Sequence, residues 1–595
     1  MNEYIAPLRD MRFILGNLAG LPAIAALPDC EEATPDLVAA ILDEAGKFSA
    51  GVLAPLNQSG DREGCRLEQG SVITPAGWRE AYAQFSQAGW VGLAMPKAYG
   101  GQALPKLVST PVTEMWFAAN LAFSILPPMA LGAAEALMLA GSDAQKSVFL
   151  PKLASGEWAA TMDLTEPNAG SDLGAIQTRA EPQPDGSYRL FGQKIFITYG
   201  EHELTENIMH LVLARIQGAP EGVRGISMFL VPKFLVNPDG SIGPRNDMQC
   251  ISVEHKLGIH GSPTCTMSYG DANGAVGHLV GEPGRGLEYM FVMVNESRFN
   301  VGLQGIAIAE RAYQKALAYS RERLQGRDAA TGEQNVPIGR HPDVRRMLLV
   351  MRANVMATRM LAYVAAGWFD RARHDPDPEQ AARCRNLVDL LMPVVKAWST
   401  ELGIETADIA IQIHGGTGYV EESGVAQYLR DVRITSIYEG TTGIQANDLI
   451  SRKLLRDEGM AMRSLIAEIR GVAEQSLGAE NTAQLGAPLQ QLTVILEQTM
   501  DWVVANGRNA KAEVLGTGVA FLRLTGLVCG GWQMTRAGLA AQSQLETGEG
   551  DAVYLRGIVD LAQFYFEHVA VQAASHARTV TQGGAIVARF ADAAF

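Results

Sequence analysis

Through residues 1–158, apolar side chains recur at spacings of three and four, as in LVAAILDEAG and WREAYAQFSQAGW, which predicts helices with one buried face. The Gly- and Pro-rich run Gly92 to Pro105 interrupts them as a turn. From Ala159 the period changes. Short runs rich in Val, Ile, Tyr, Phe and Thr (SYRLFG, KIFITYG, HLVLARI, GISMFLVP, CTMSYGD) alternate with Gly, Pro, Asn and Asp, and Asp185-Gly186 carries a hairpin signal. Residues 159–280 are therefore expected to form a compact antiparallel β domain. After GEPGRG the helical period returns in long segments over 281–457 and again over 458–595. The expected fold is mainly α with a central antiparallel β domain, in four blocks.

One uncharged stretch, Phe117 to Ala134, is long enough to cross a bilayer. Pro127-Pro128 lies within it and Asn120 adds a polar group, so it reads as the end of one buried helix, a bend, and the start of another. At 595 residues with 47% hydrophobic content, the chain exceeds one core and supports several domains. A net charge of -15 argues against a surface built for phosphate backbones, so nucleic acid is not an expected partner. The six cysteines form no CxxC pair and show no ligand spacing, so neither a disulfide framework nor a metal site is expected. With no secretory signal at the N-terminus, a reducing cytoplasm is the expected compartment.

Candidate chemistry sits in four segments. In RITSIYEGTTGIQAN, Glu439 is the one charged residue from Ile434 to Asn447. It reads either as an exposed loop carboxylate or as a partly desolvated base, because burial raises a carboxyl pKa and strengthens it toward a weak carbon acid. MDLTEPNAGSD (Met162 to Asp172) is either a plain polar turn or a loop whose amides hold a phosphate or a ring edge. In GQKIFIT, alternation puts Phe196 and Thr198 on one face, where they are either core residues or a stacking surface with a hydroxyl donor. QIHGGTGY (Gln412 to Tyr419) is a Gly-rich loop beside a histidine that is more often structural than catalytic.

In this order and spacing, LTEPNAGSD, GQKIFIT, QIHGGTGYVEESGVAQYLRDVRI and IYEGTTGIQ resemble the signature segments of the acyl-CoA dehydrogenase family, over about residues 3–457. The opening YIAPLRDMRFIL and the extra C-terminal block are similar to its long bacterial branch. That resemblance implies a helical N-terminal domain, a β-barrel-like middle domain, a four-helix-bundle domain and an additional helical domain. It implies FAD as cofactor and Glu439 as the base that takes the α-proton of an acyl-CoA while the β-hydride passes to flavin N5. It further assigns Met162, Leu164, Thr165, Gly170, Ser171, Phe196, Ile197 and Thr198 to the flavin and its pyrophosphate. Arg323, Gln412, Gly415 and Gly416 are assigned to the ADP part of FAD from a neighbouring subunit, and Thr441 and Gly443 to further FAD contacts. Ser171, Asn295, Arg298 and Gly440 are assigned to substrate.

Three positions depart from the family pattern. LQGR follows Arg323 where an aromatic-Gly pair is usual, Phe196 stands for a Trp, and Ser297 occupies the position where some members carry the base, with Glu296 one residue away. Glu439 is therefore the expected base. The resemblance also implies an electron-transfer flavoprotein as acceptor and a homo-oligomer, with a dimer expected. A medium-to-long fatty acyl-CoA is the first expected substrate and 3-methylmercaptopropionyl-CoA the second. Rival readings are an acyl-CoA oxidase and a flavin-containing DNA-binding relative. The acids Glu468, Asp501 and Glu567 in the last block speak against the second of these. The last block is expected to cap the core rather than to lie on a membrane surface.

Overall fold

The structure, a computed structural model, describes residues 4–237 and 239–594. The outermost residues of the first and last expected blocks lie outside the described residues. The chain groups into two compact units whose bounds run across the four expected blocks: residues 47–104 with 119–300, and residues 1–46 with 105–118 and 301–595.

The first-named unit holds the sheet. Its strands are β1 (Trp158–Asp163), β2 (Arg179–Pro182), β3 (Tyr188–Thr198), β4 (Asn207–Ile216), β5 (Ile226–Pro232), β6 (Met248–Val253), β7 (Thr264–Tyr269) and β8 (Ala275–Val280). They pair in the order β6-β7-β3-β8-β5-β4-β1, and β2 bonds to both β3 and β4, closing a ring of five strands. Two expected runs, SYRLFG and KIFITYG, are one continuous strand, β3. The expectation of an antiparallel domain needs one correction. β1 and β2 both run parallel to β4, because the chain that leads from each of them to β4 passes through an intervening strand instead of turning straight back as a hairpin. At the Asp185-Gly186 turn, Gly186 has φ 84° and the Ser187 amide donates to Asp185 at 2.9 Å. Leu190, Val212, Phe229, Val231, Cys265 and Met267 fill the core.

The uncharged stretch breaks slightly upstream of its prolines. One helix ends at Ala119, and Asn120 caps Leu121–Ser124 by accepting from the Phe123 amide at 3.1 Å. The next helix, Leu126–Ala140, then takes Pro127 in its first turn, where a missing N–H leaves no bond unmade. Residues Leu121–Ala140 and Pro342–His374 are each apolar and long enough to cross a membrane, and in the most apolar 18-residue window of each, 72% and 83% of the residues are buried within the protein. They are core helices.

Long helices build the second unit: α1 (Gly286–Glu322, of which residues 301–322 belong here), α2 (Pro342–His374), α3 (Pro378–His414), α4 (Thr442–Asp448), α5 (Met460–Leu477), α6 (Ala483–Asn506) and α7 (Gly518–Thr547). A buried ion network ties the chain's start to this bundle. Arg359 reaches Glu114 at 2.6 Å and Glu310 at 2.8 Å, while Asp10 pairs with Arg352 at 2.6 Å. The last block packs into the same core. Phe521, Leu522, Leu524, Val528 and Trp532 of α7 are buried, and a Cβ added at Gly526 would meet Trp398 of α3 at 2.4 Å. The apolar run 518–534 thus packs largely against protein.

Candidate active site

Glu439 lies in a tight passage between a short helix, Ala426–Val432, and α4. After the turn Arg433–Ser436, Glu439 adopts φ 55° and Gly440 φ 92°. A left-handed glutamate costs about 1–2 kcal/mol, so neighbours must hold it there. They do so through backbone carbonyls. The Lys396 ammonium on α3, fully buried, donates to Thr435 O at 2.8 Å and to Gly440 O at 2.7 Å. Gln445 Nε2 donates to Glu439 O at 3.1 Å. Thr441 caps α4 by accepting from the Ile444 amide at 3.3 Å. Gly440 is required here, since a Cβ would sit 2.6 Å from Gln445 Nε2.

Glu439 itself is half-buried. Beside it, the Tyr438 phenol donates to Gln304 of α1. Burial, and then the Glu439 charge, push that phenol well above its ordinary pKa, so it stays neutral. Downstream, the Thr442 hydroxyl donates to Glu401 at 2.6 Å, and Arg523 of α7 pairs with the other Glu401 oxygen at 3.0 Å. The last block therefore braces the loop that carries Glu439.

In the sheet unit, the end of β1 and the loop after it present Met162, Leu164 and Thr165 half-buried, and Gly170 and Ser171 exposed. A buried ion pair fastens it to β3: Lys194 Nζ lies 2.8 Å from Glu166 and donates to Leu164 O at 3.0 Å. The amide of Ile195 donates to Thr165 O at 2.9 Å. Burial lowers the Lys194 pKa, with Glu166 opposing. Burial would raise the Glu166 carboxyl, but Lys194 and the amides of Gln177 and Thr178 outweigh it and hold it below its ordinary value.

Simple alternation does not describe β3 here. Its register against β7 shifts between the pairs Lys194↔Met267 and Ile197↔Cys265, a bulge that leaves Phe196 in a left-handed conformation at φ 61°. The bulge turns the Phe196 ring outward, 59% exposed, with Thr198 half-buried two residues on. Ile197 points into the hydrophobic core, so it has only its backbone to offer a cofactor. An exposed aromatic face beside the half-buried hydroxyl-bearing residues Thr165 and Thr198 fits a planar, polar-edged ring system such as flavin.

Of the expected substrate residues, Asn295 is exposed on α1 while Arg298 is buried, and Ser297 donates to Met162 Sδ at 3.9 Å. Glu296 is buried and accepts from Asn300 at 3.2 Å. Its neighbourhood is that of a packed helix side chain.

Comparisons with known proteins match this arrangement along nearly the whole chain. Models of the acyl-CoA dehydrogenase N-terminal, middle and C-terminal domains match residues 37–157, 161–272 and 284–454, and an acetyl-CoA dehydrogenase C-terminal-like model matches 465–591. The 3-methylmercaptopropionyl-CoA dehydrogenase of Ruegeria pomeroyi is 45% identical over 589 residues, 98% of this chain and 99% of that protein. The chain belongs to the acyl-CoA dehydrogenase family. It is also 33% identical to the broad-specificity linear acyl-CoA dehydrogenase FadE5 of Mycobacterium tuberculosis, over 95% of each chain. An acyl-CoA dehydrogenase from Bacillus anthracis, solved in complex with FAD, shares the fold at a TM-score of 0.75, with 22% identity over 96% of this chain and 91% of that one.

Elsewhere in this acyl-CoA dehydrogenase, Arg323, Gln412, Gly415, Gly416 and Thr441 are exposed, and Gly443 is half-buried at the start of α4. His414 is buried, stacked on Tyr319 at 4.3 Å, with Nδ1 2.7 Å from Ala410 O. Burial lowers its pKa, and it serves as a structural residue. Sequence reasoning missed Lys396, Gln445, Gln304, Glu401 and Arg523 around Glu439, and Lys194 and Glu166 behind the Phe196 bulge. The lone cation in LLMPVVKAW was a usable signal for Lys396.

Proposed function

We propose that this acyl-CoA dehydrogenase uses the Glu439 carboxylate to remove the α-proton of an acyl-CoA thioester as the β-hydride departs, leaving a trans-2-enoyl-CoA. The observation that carries the reading is the strained backbone of Glu439 and Gly440, held by Lys396 and Gln445 at three carbonyls in all. Strain kept at such a cost supports a functional role rather than a chance loop carboxylate. FAD, when bound, supplies the hydride acceptor. Met162, Leu164, Thr165, Gly170, Ser171, Phe196 and Thr198, with the Ile197 backbone, would hold its ring and pyrophosphate. Arg323, Gln412, Gly415 and Gly416 would hold the ADP part of FAD bound to a second copy, and Thr441 and Gly443 would add contacts.

Glu439 acts on a weak carbon acid, so the forming negative charge on the thioester oxygen needs a fixed donor. The Glu439 amide is our candidate, in a turn held on either side of it by the same grips on Thr435 O, Glu439 O and Gly440 O. Tyr438, kept neutral, adds no second charge beside the base. Gly440 gives the thioester close access to the backbone, and Ser171, Asn295 and Arg298 are proposed CoA and acyl contacts.

For substrate, the 45% identity to the Ruegeria enzyme over nearly all of both chains supports 3-methylmercaptopropionyl-CoA, ahead of the medium-to-long fatty acyl-CoA first expected. The fatty acyl reading, and with it a place in fatty acid β-oxidation, is supported by the similarity to FadE5. An electron-transfer flavoprotein as acceptor, a homodimer and a cytoplasmic site complete the proposal; six free thiols accord with a reducing compartment.

The test is anaerobic bleaching of the flavin absorbance with 3-methylmercaptopropionyl, butanoyl and palmitoyl thioesters of CoA. Bleaching strongest with the thioether establishes the first reading, and an optimum at long chains establishes the second. No bleaching of the FAD-loaded protein by any of them would overturn both. Glu439→Gln should keep its FAD and slow bleaching by on the order of 10³-fold or more.

A further inference from the structure

Lysine is among the residues least often buried, because its ammonium loses hydration unless partners replace it. Lys396 is fully buried on α3, and two of its partners are carbonyls of the loop that carries Glu439, Thr435 O at 2.8 Å and Gly440 O at 2.7 Å. Those carbonyls bracket residues 436–439, so drawing both onto one Nζ closes the turn around the base. An ammonium offers three donors, and charge-assisted bonds to carbonyls are about twice as strong as neutral ones. Gln445 holds the intervening Glu439 carbonyl at 3.1 Å. The successive carbonyls of Glu439 and Gly440 are thus each gripped by a side chain, where a regular element would use amides.

We propose that Lys396 is a positioning residue for the reaction. Its buried ammonium sets the left-handed Glu439–Gly440 segment and so aims the carboxylate, and its charge, held at the carbonyl of the next residue, stabilises the ionised base. This rests on the reading of Glu439 as the base. The charged and titratable groups around the loop within this unit include Lys396 and Glu401 from α3, Arg523 from α7, Asp431 and Arg433 ahead of and at the start of the turn, and Tyr438 beside the base. Glu401 and Arg523 pair with each other near Thr442 and Arg433 donates to Ser436 Oγ, whereas Lys396 holds the carbonyl of the residue after Glu439. A cation near a carboxylate favours its charged form, so loss of Lys396 shifts the base toward higher pH as well as misaiming it.

The experiment uses the FAD-loaded full-length protein with Lys396→Met, which keeps the stem and removes the charge, and Lys396→Gln, which removes the charge but keeps an N–H donor group. Acetyl-CoA ends at its α-carbon, so the exchange of its α-hydrogens with D₂O, followed by mass spectrometry, reads proton removal without hydride transfer. Bleaching by 3-methylmercaptopropionyl-CoA reads the complete half-reaction. The expected result for Lys396→Met is a 10- to 100-fold loss in both rates, on the order expected for a base displaced by about 1 Å. The kcat should fall more than KM changes, the acid limb of the pH profile should move to higher pH, and Lys396→Gln should recover part of the rate. A folded, FAD-loaded variant with rates within twofold of the parent and an unmoved acid limb would overturn the proposal. Failure of both variants to fold would overturn it too, by making the lysine structural. Glu439→Gln in the same exchange assay separates the two readings. If that variant exchanges at the parent rate, the assignment of Glu439 falls; if it is inert while Lys396→Met exchanges normally, only the role of Lys396 falls.

Discussion

Replacing Gly440 by alanine adds one carbon at the most constrained point of the candidate site. At φ 92° the new side chain sits in the left-handed region, which costs about 1–2 kcal/mol for an L-residue. The new Cβ also lies 2.6 Å from Gln445 Nε2, a clash that a buried amide can relieve only by moving away from Glu439 O. Losing that hydrogen bond adds about 0.5–1.5 kcal/mol. Together the change destabilises the loop by roughly 2–3 kcal/mol, which it can escape by turning the Glu439–Gly440 peptide over. A base displaced by about 1 Å loses on the order of 10²-fold in rate. Stopped-flow measurement of anaerobic flavin bleaching at saturating acyl-CoA reads this directly, with thermal denaturation alongside. A Gly440→Ala protein that bleaches within twofold of the parent would refute the claim that this backbone geometry aims the base.

Phe196→Gly should relieve a left-handed aromatic and raise the stability of the FAD-free protein by about 1–2 kcal/mol, while weakening FAD retention; equal FAD retention would show that the exposed ring does not face the cofactor. Arg359→Met removes the cation between Glu114 and Glu310 and should destabilise the helical unit by about 3–5 kcal/mol, read from urea unfolding, and a loss under 1 kcal/mol would contradict the network's role. Burial pushes the Asp370 carboxyl up to about 6 although it accepts the Lys106 and Leu107 amides, so the folded protein holds this proton more tightly than the unfolded chain. Its contribution is therefore fully present below about pH 4 and is lost as pH rises through 6, a swing of roughly 3 kcal/mol. Asp370→Asn should flatten that slope and leave the protein more stable at pH 7.5, and an unchanged stability profile between pH 4 and 7 would refute the assignment.

Local patterning made much of this protein legible in the chain itself. The change of period at Ala159 marked the β domain, and Gly-bounded runs marked β3, β4, β5 and β7. A glutamate alone among neutral residues, next to glycine, marked the loop at 439. Such signals depend on residues within a few positions of one another, where period, turn chemistry and charge act directly. What escaped the sequence depends on contacts made far along the chain. Phe196 is turned outward by a register shift against β7, and the parallel pairings of β1 and β2 need crossovers that periodicity does not encode. Lys396 meets a carbonyl 44 residues away, and Arg523 meets Glu401 across 122. Sequence determined which residue types were present for the chemistry. Packing decided their geometry, because a left-handed glutamate or an outward phenylalanine is unfavourable locally and persists only where distant groups hold it.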